Sequence, residues 1–309
     1  MILMRFNKNL RRYALYILLI AISAIYNSCK SKPDNNYRNK VTFKPVWGIK
    51  YTEVKQRLAN GRSFSPYGYQ LEPLWQLTFL SDDTARLYAT NTKSFANFRI
   101  TNDHDSIFYI ARSWFRALKL TKDSLVLQVM KVESNMIYVS QSTLFTTLYS
   151  DDYIKNVLKT TPEKLRRPDR GDSLYVRYMI MHPHKNPDSL FAARNPVVFK
   201  SKNPNIKVTK TQVIADETNR FSTTDSYLRP EYNIEINKAY KDFNYSFTAV
   251  VDERGDIRFH KLLVANVNNT NVIQAIIDGY LKPYLDITPG STLGMTQRSK
   301  VYINVKGRK

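Results

Sequence analysis

The chain has 309 residues with 43% hydrophobic residues, 36 Tyr and Phe together, 9 Gly, a single Cys and a formal net charge of +21 at pH 7. That much apolar material builds a packed core and excludes an intrinsically disordered chain. The scarcity of Gly excludes collagen-like architectures, no repeat recurs at a fixed period, and one Cys excludes an intramolecular disulfide framework and any Cys-built zinc site.

Arg5, Lys8, Arg11 and Arg12 stand without an acidic neighbour before the apolar run Tyr13 to Tyr26. This run of 14 residues is shorter than the roughly 20 needed to cross a hydrocarbon core, so residues 1–28 read as a signal peptide. Cys29 follows at once, after the small Ser28. The arrangement resembles a bacterial lipobox, which implies cleavage before Cys29, acylation of its thiol and anchoring to a membrane of the cell envelope by acyl chains. The envelope membrane is either the outer membrane or the periplasmic face of the inner one. Residues 29–44, with Pro33, Asp34, Asn35 and Asn36, then form the lipidated Cys and a flexible tether. Without the four cations of the signal the net charge is still +17. No helix-turn-helix, RNP or zinc module accompanies this charge, so nucleic acid is not the expected partner and anionic lipid or glycan is.

Residues 45–158 are expected to form a β-domain. Tyr51, Val54 and Leu58 lie at helical spacing with Gly61 beyond them, so a short amphipathic helix is predicted there. Eight short strands follow: Leu74 to Leu80, Ala85 to Ala89, Phe95 to Ile100, Ser106 to Ile110, Phe115 to Leu120, Leu125 to Val132, Met136 to Ser140 and Leu144 to Tyr149. Polar turns such as Ser81-Asp82-Asp83 and Thr121-Lys122-Asp123 separate them, the mark of an antiparallel meander. A meander this long closes or folds over, and residues 45 to 150 resemble a lipocalin-like barrel, with Trp75 and Trp114 as core or mouth residues. Ser150-Asp151-Asp152 caps a short helix from Tyr153 to Leu158.

The basic, Pro-containing segment 159–172 is expected to be an interdomain linker. Residues 173–240 read as irregular strand and loop, with short apolar runs at Leu174 to Met181, Val197 to Lys200 and Ile206 to Val213.

Residues 241–309 have an α+β pattern. Tyr245 to Val251, the turn Asp252 to Gly255 and Asp256 to Ala265 predict a hairpin, with Gly255 where positive φ is tolerated. Asn269 or Thr270 caps a helix with Val272, Ile273, Ile276, Ile277 and Leu281 on one face, and Val301 to Val305 is a closing strand. Phe247 to Val251 with Asp252 and Gly255, Lys282-Pro283, Pro289-Gly290, Gly294 and the closing strand together resemble the C-terminal domain of TonB-type energy transducers. The fold class expected for the whole chain is therefore mainly β with an α+β C-terminus, an antiparallel meander or lipocalin-like barrel followed by a TonB-C-terminal-like domain. The resemblance implies that Lys300, Val301, Tyr302, Ile303, Asn304 and Val305 form an edge strand that captures an extended partner segment, or else an edge blunted by its flanking lysines.

Catalytic chemistry is sparse. Asp103-His104-Asp105 and His182-Pro183-His184 lack the spacing of a zinc site, and no nucleophile elbow, Walker loop or dinucleotide pattern occurs, so no metal, no cofactor and no enzyme activity are expected. The triplets Asp83-Thr84-Ala85, Asp105-Ser106-Ile107, Asp123-Ser124-Leu125, Asp172-Ser173-Leu174 and Asp188-Ser189-Leu190 recur. Asp-Ser is good turn chemistry in its own right. The triplets also resemble the O-glycosylation signal of exported Bacteroidetes proteins, which implies modification at Thr84, Ser106, Ser124, Ser173 and Ser189. The expected function is a lipid-anchored, non-enzymatic binding or scaffolding module of the envelope with a protein or glycan partner. The alternatives are a TonB-type transducer with an uncleaved N-terminal anchor and an envelope hydrolase without a recognisable motif.

Overall fold

The structure is a computed structural model that describes residues 40–89, 92–212, 226–263 and 270–309. The expected signal segment, Cys29 and the expected tether as far as residue 39 lie outside the described residues.

The chain is mainly β. Its first part contributes β1 (Lys50–Leu58), β2 (Gln76–Phe79), β3 (Thr84–Ala89), β4 (Ser94–Arg99), β5 (Thr101–Asn102), β6 (Ile107–Ile110), β7 (Ser113–Leu120) and β8 (Ser124–Val129). A separate ribbon of β9 (Lys131–Glu133) and β10 (Met136–Tyr138) precedes β11 (Leu144–Ser150). One antiparallel sheet runs β4-β3-β2-β1-β11-β8-β7-β6-β5. Its two terminal strands are successive parts of a single segment bent at Ile100, whose N–H donates to the Asp83 carbonyl at 2.7 Å. The sheet is therefore barrel-like and nearly closed, so that few backbone groups are left at its rims. Phe43, Tyr51, Phe79, Phe108, Phe115, Leu125 and Leu148 fill it, with the Phe43 and Phe79 rings stacked 3.9 Å apart. Trp75 packs against this core, edge-on to Phe115, whereas Trp114 lies outside it on Tyr109.

Two strand expectations need correction. Tyr51, Val54 and Leu58 lie on β1 and not on a helix. Opposite β11 the register steps from Glu53↔Leu148 to Lys55↔Thr147, so Val54 is the extra residue of a bulge. A bulge shifts the side-chain phase by one position, so that Tyr51 and Val54 are both fully buried at a spacing of three, which imitates helical periodicity. The run Leu125 to Val132 is broken at Met130, whose N–H turns to the Trp114 carbonyl.

After β11 a π-helical stretch, Tyr153–Val157, starts where the Ser150 hydroxyl accepts the Tyr153 N–H at 3.2 Å. Segment 159–172 contains α1 (Pro162–Leu165) and the start of α2 (Arg170–Met181), so half of the expected linker is helical, and all of the run Leu174 to Met181 is. Asp169 is the N-cap of α2 and accepts the Asp172 N–H, while Asp172 reaches back to the Asp169 N–H, a reciprocal capping box.

The remaining strands are β12 (Val198–Ser201), β13 (Ile206–Lys210), β14 (Glu231–Asn237), β15 (Phe243–Val251) and β16 (Ile257–Leu262). Helix α3 (Thr270–Ile276) follows and runs on through a π-helical stretch, Ile277–Leu281. Then come β17 (Leu285–Thr288), β18 (Ser291–Thr292), β19 (Met295–Thr296) and β20 (Ser299–Arg308). A five-stranded sheet has the order β13-β14-β20-β15-β16, parallel only between β14 and β20. Ile273, Ile276, Ile277 and Leu281 share its core with Phe247, Val301, Ile303 and Val305. Gly255 closes the β15–β16 turn at φ +90°. The expected edge strand is overturned: Lys300, Val301, Tyr302, Ile303, Asn304 and Val305 lie on the central strand, where all six pair with β15 on one side and Tyr302 to Val305 pair with β14 on the other. Its alternating apolar face fits either position, and the strand that covers its second side, β14, alternates Tyr232, Ile234 and Ile236 with polar residues inside a segment expected to be irregular.

Candidate functional site

A small third core joins the two β-bodies, with Phe64 from the loop after β1, Val176 from α2 and Phe191 buried together and Tyr175, Met179, Ile180 and Met295 around them. Beside it the backbones meet closely. The Ala192 N–H donates to the Tyr67 carbonyl at 3.0 Å, and Gly68, at φ +87°, lies so near Ala192 that a Cβ there would come within 2.5 Å of its nitrogen. Gly68 ends the turn Ser65-Pro66-Tyr67-Gly68, closed by its N–H to the Ser65 carbonyl at 3.1 Å, which leaves the Tyr67 ring exposed.

This junction frames a cleft of about 140 Å³ whose lining includes Tyr67, Phe191, Pro196, Tyr227, Pro230, Asp188 and Lys300. The Tyr227 hydroxyl accepts the Gln70 N–H at 2.7 Å, and the Arg194 guanidinium stacks 4.4 Å above its ring while pairing with Glu72. On the other wall Lys300 Nζ is 3.0 Å from Asp188 Oδ1, and His260 Nε2 is 3.6 Å from the same oxygen. The Lys300 hydrogen bond and charge hold the Asp188 carboxyl below the usual carboxylate range. Asp188 is thus a fixed anion at neutral pH and a weak base. Tyr67, Phe191, Tyr227 and Asp188 escaped sequence reasoning as a group because they are distant in the chain; the Pro-x-Gly turn around Tyr67 was the one local signal.

Lys300 alone of the expected partner strand contributes to this cleft, from the N-terminal end of β20. The hydroxyl residues of the Asp-Ser/Thr triplets are dispersed. Thr84 opens β3 and bonds Asp83, Ser106 precedes β6 at φ +61°, Ser189 ends the turn Pro187–Ser189, and Ser173 is exposed on α2 with its hydroxyl on the Asp169 carbonyl. Ser124 is buried at the start of β8 beside Thr121, so the folded chain offers no free hydroxyl there. His104 lies 3.1 Å from Asp103, and no group of three or more metal-ligating side chains occurs among the described residues. No described helix is long and apolar enough to cross a membrane.

A buried carboxylate, Glu53 on β1, accepts the N–H groups of Leu74 and Trp75 at 2.6 and 2.8 Å and the Thr146 hydroxyl. Burial pushes its pKa up against these hydrogen bonds. Thr146 lies on β11 and Leu74 and Trp75 on the approach to β2, so Glu53 ties that approach onto β1. Compared with known proteins, the chain matches no family model and no curated sequence.

Proposed function

We infer that the protein is a non-enzymatic binding module of the cell envelope, anchored by acyl chains on Cys29, with a short glycan seated in the cleft between the two β-bodies. The observation that carries this reading is the cleft's composition. Tyr67 supplies an exposed ring for sugar C–H groups, with the largely buried Phe191 and Tyr227 beside it in the lining, while Asp188 and Lys300 supply an acceptor and a donor already fixed by their mutual bond. The lowered pKa of Asp188 favours ligand recognition over proton transfer.

The finer fold assignments belong to the same proposal. The up-and-down strand order of the barrel-like sheet supports the lipocalin-like resemblance. The order hairpin, helix, closing strand, with β20 laid along β15, supports the TonB-like one. Saturation-transfer NMR with neutral monosaccharides and uronic acids tests the ligand class. Transfer to at least one sugar that disappears in Tyr67→Ala is expected, and no transfer from any of them removes the glycan reading.

A further inference from the structure

Helix α2 turns one face into the protein and presents an apolar face to solvent. Asp172 and Val176 are buried, and Leu174, Tyr178 and Met181 are 57%, 59% and 68% exposed. At 100° per residue these three fall within about 60° of one another and opposite Val176 and Asp172. Arg170 and Arg177 flank the stripe on one side, both exposed, and neither has an anionic partner among the described residues. Asp169 and Asp172, the acids of this helix end, are already engaged by Arg57.

We propose that α2 rests on an anionic bilayer surface, with Leu174, Tyr178 and Met181 in the interface and Arg170 and Arg177 against lipid phosphates. An interfacial helix needs this combination of one apolar stripe and margin cations. The occupant is argued from charge and from chain length. The face carries two unpaired cations and no free acid, and ten residues lie between Cys29 and Lys40, a reach of at most about 40 Å. This rests on the anchoring reading above, which confines the body to the neighbourhood of a membrane.

The test uses the full chain reconstituted into vesicles of phosphatidylethanolamine and phosphatidylglycerol, and into phosphatidylcholine alone. Tyr178→Cys carries an environment-sensitive fluorophore, and Lys207→Cys on the exposed side of β13 is the reference. Expected in the anionic vesicles are a blue shift and protection from an aqueous quencher at 178 but not at 207, both lost in Arg170→Glu/Arg177→Glu. Equal quenching at the two positions overturns the proposal. So does protection at 178 that is indifferent to lipid charge and grows with protein density, which marks a contact between copies of the chain. Mass spectrometry of the same sample reads the anchor separately. A free Cys29 thiol refutes acylation, and the contrast between 178 and 207 still decides the orientation of α2.

Discussion

The Arg57 guanidinium on β1 donates from Nη1 to Oδ2 of Asp172 at 2.6 Å, joining two residues 115 positions apart. The same carboxylate accepts the Ser63 N–H at 2.8 Å and the Asp169 N–H at 3.2 Å, and it is 1% exposed. One buried side chain thus caps α2, fixes the loop after β1 and locks helix to sheet. Asp172→Ala strands Arg57 Nη1 and two N–H groups, and a loss of about 3–5 kcal/mol follows. Asp172→Asn keeps an acceptor for Ser63 and loses less. Urea midpoints at constant slope measure both.

Glu53 gives the chain a pH dependence of definite sign. Its pKa is raised in the fold, chiefly by burial, so between the ordinary value of 4.5 and the raised one the folded state binds more protons than the unfolded state. Stability from this group therefore falls as pH rises through that window, and is regained on acidification. The paired carboxylates Asp169, Asp188 and Asp278 have lowered values and act at lower pH, losing stability as pH falls. Glu53→Gln should remove the downward slope above pH 4.5 while leaving the acid limb, as thermal melts at stepped pH would show.

The position of β20 reverses what its sequence pattern suggests for proline substitutions. The Tyr302 N–H donates to the Pro230 carbonyl at 2.9 Å, and the strand is bonded along both sides. Tyr302→Pro breaks a central ladder and costs about 3 kcal/mol or more. Circular dichroism should show loss of cooperative folding; retention of the wild-type melt would contradict the assigned sheet order.

Gly68→Ala tests the junction beside the cleft. A Cβ would meet the Ala192 backbone nitrogen at 2.5 Å, at a φ of +87° that non-glycine residues tolerate poorly. A destabilisation of about 2 kcal/mol is expected. Sugar binding at the cleft should weaken beyond the stability loss, because Tyr67 moves with the turn. Calorimetric titration of a ligand identified by NMR, done well below the melting temperature, separates the two effects.

These cases show where sequence was informative. Most strands of the barrel-like sheet were legible because polar turns such as Ser81-Asp82-Asp83 punctuate alternating runs, and the β15–β16 hairpin was legible from Asp252 to Gly255. β1 was not, since the bulge at Val54 converts a period of two into an apparent helical spacing. α2 falls in a segment expected to be irregular strand and loop although Asp169 and Asp172 announce a capping box, because its exposed Leu174, Tyr178 and Met181 fill in the apolar pattern and blur the helical period. The centrality of β20 depends on β14, whose pairing is a long-range matter that no local pattern encodes. The cleft is likewise a product of tertiary closure, with Tyr67 and Lys300 at opposite ends of the sequence.

The register of β1 has a consequence for the order in which the molecule forms. Tyr51 pairs with Ser150, so the first strand of the barrel-like sheet waits for the last. A chain synthesised from its N-terminus cannot complete this sheet until about a hundred residues beyond β1 have followed it. Throughout that interval β1 has only β2 as its sheet neighbour, and the edge that β11 will cover keeps its backbone donors and acceptors open to any other extended chain.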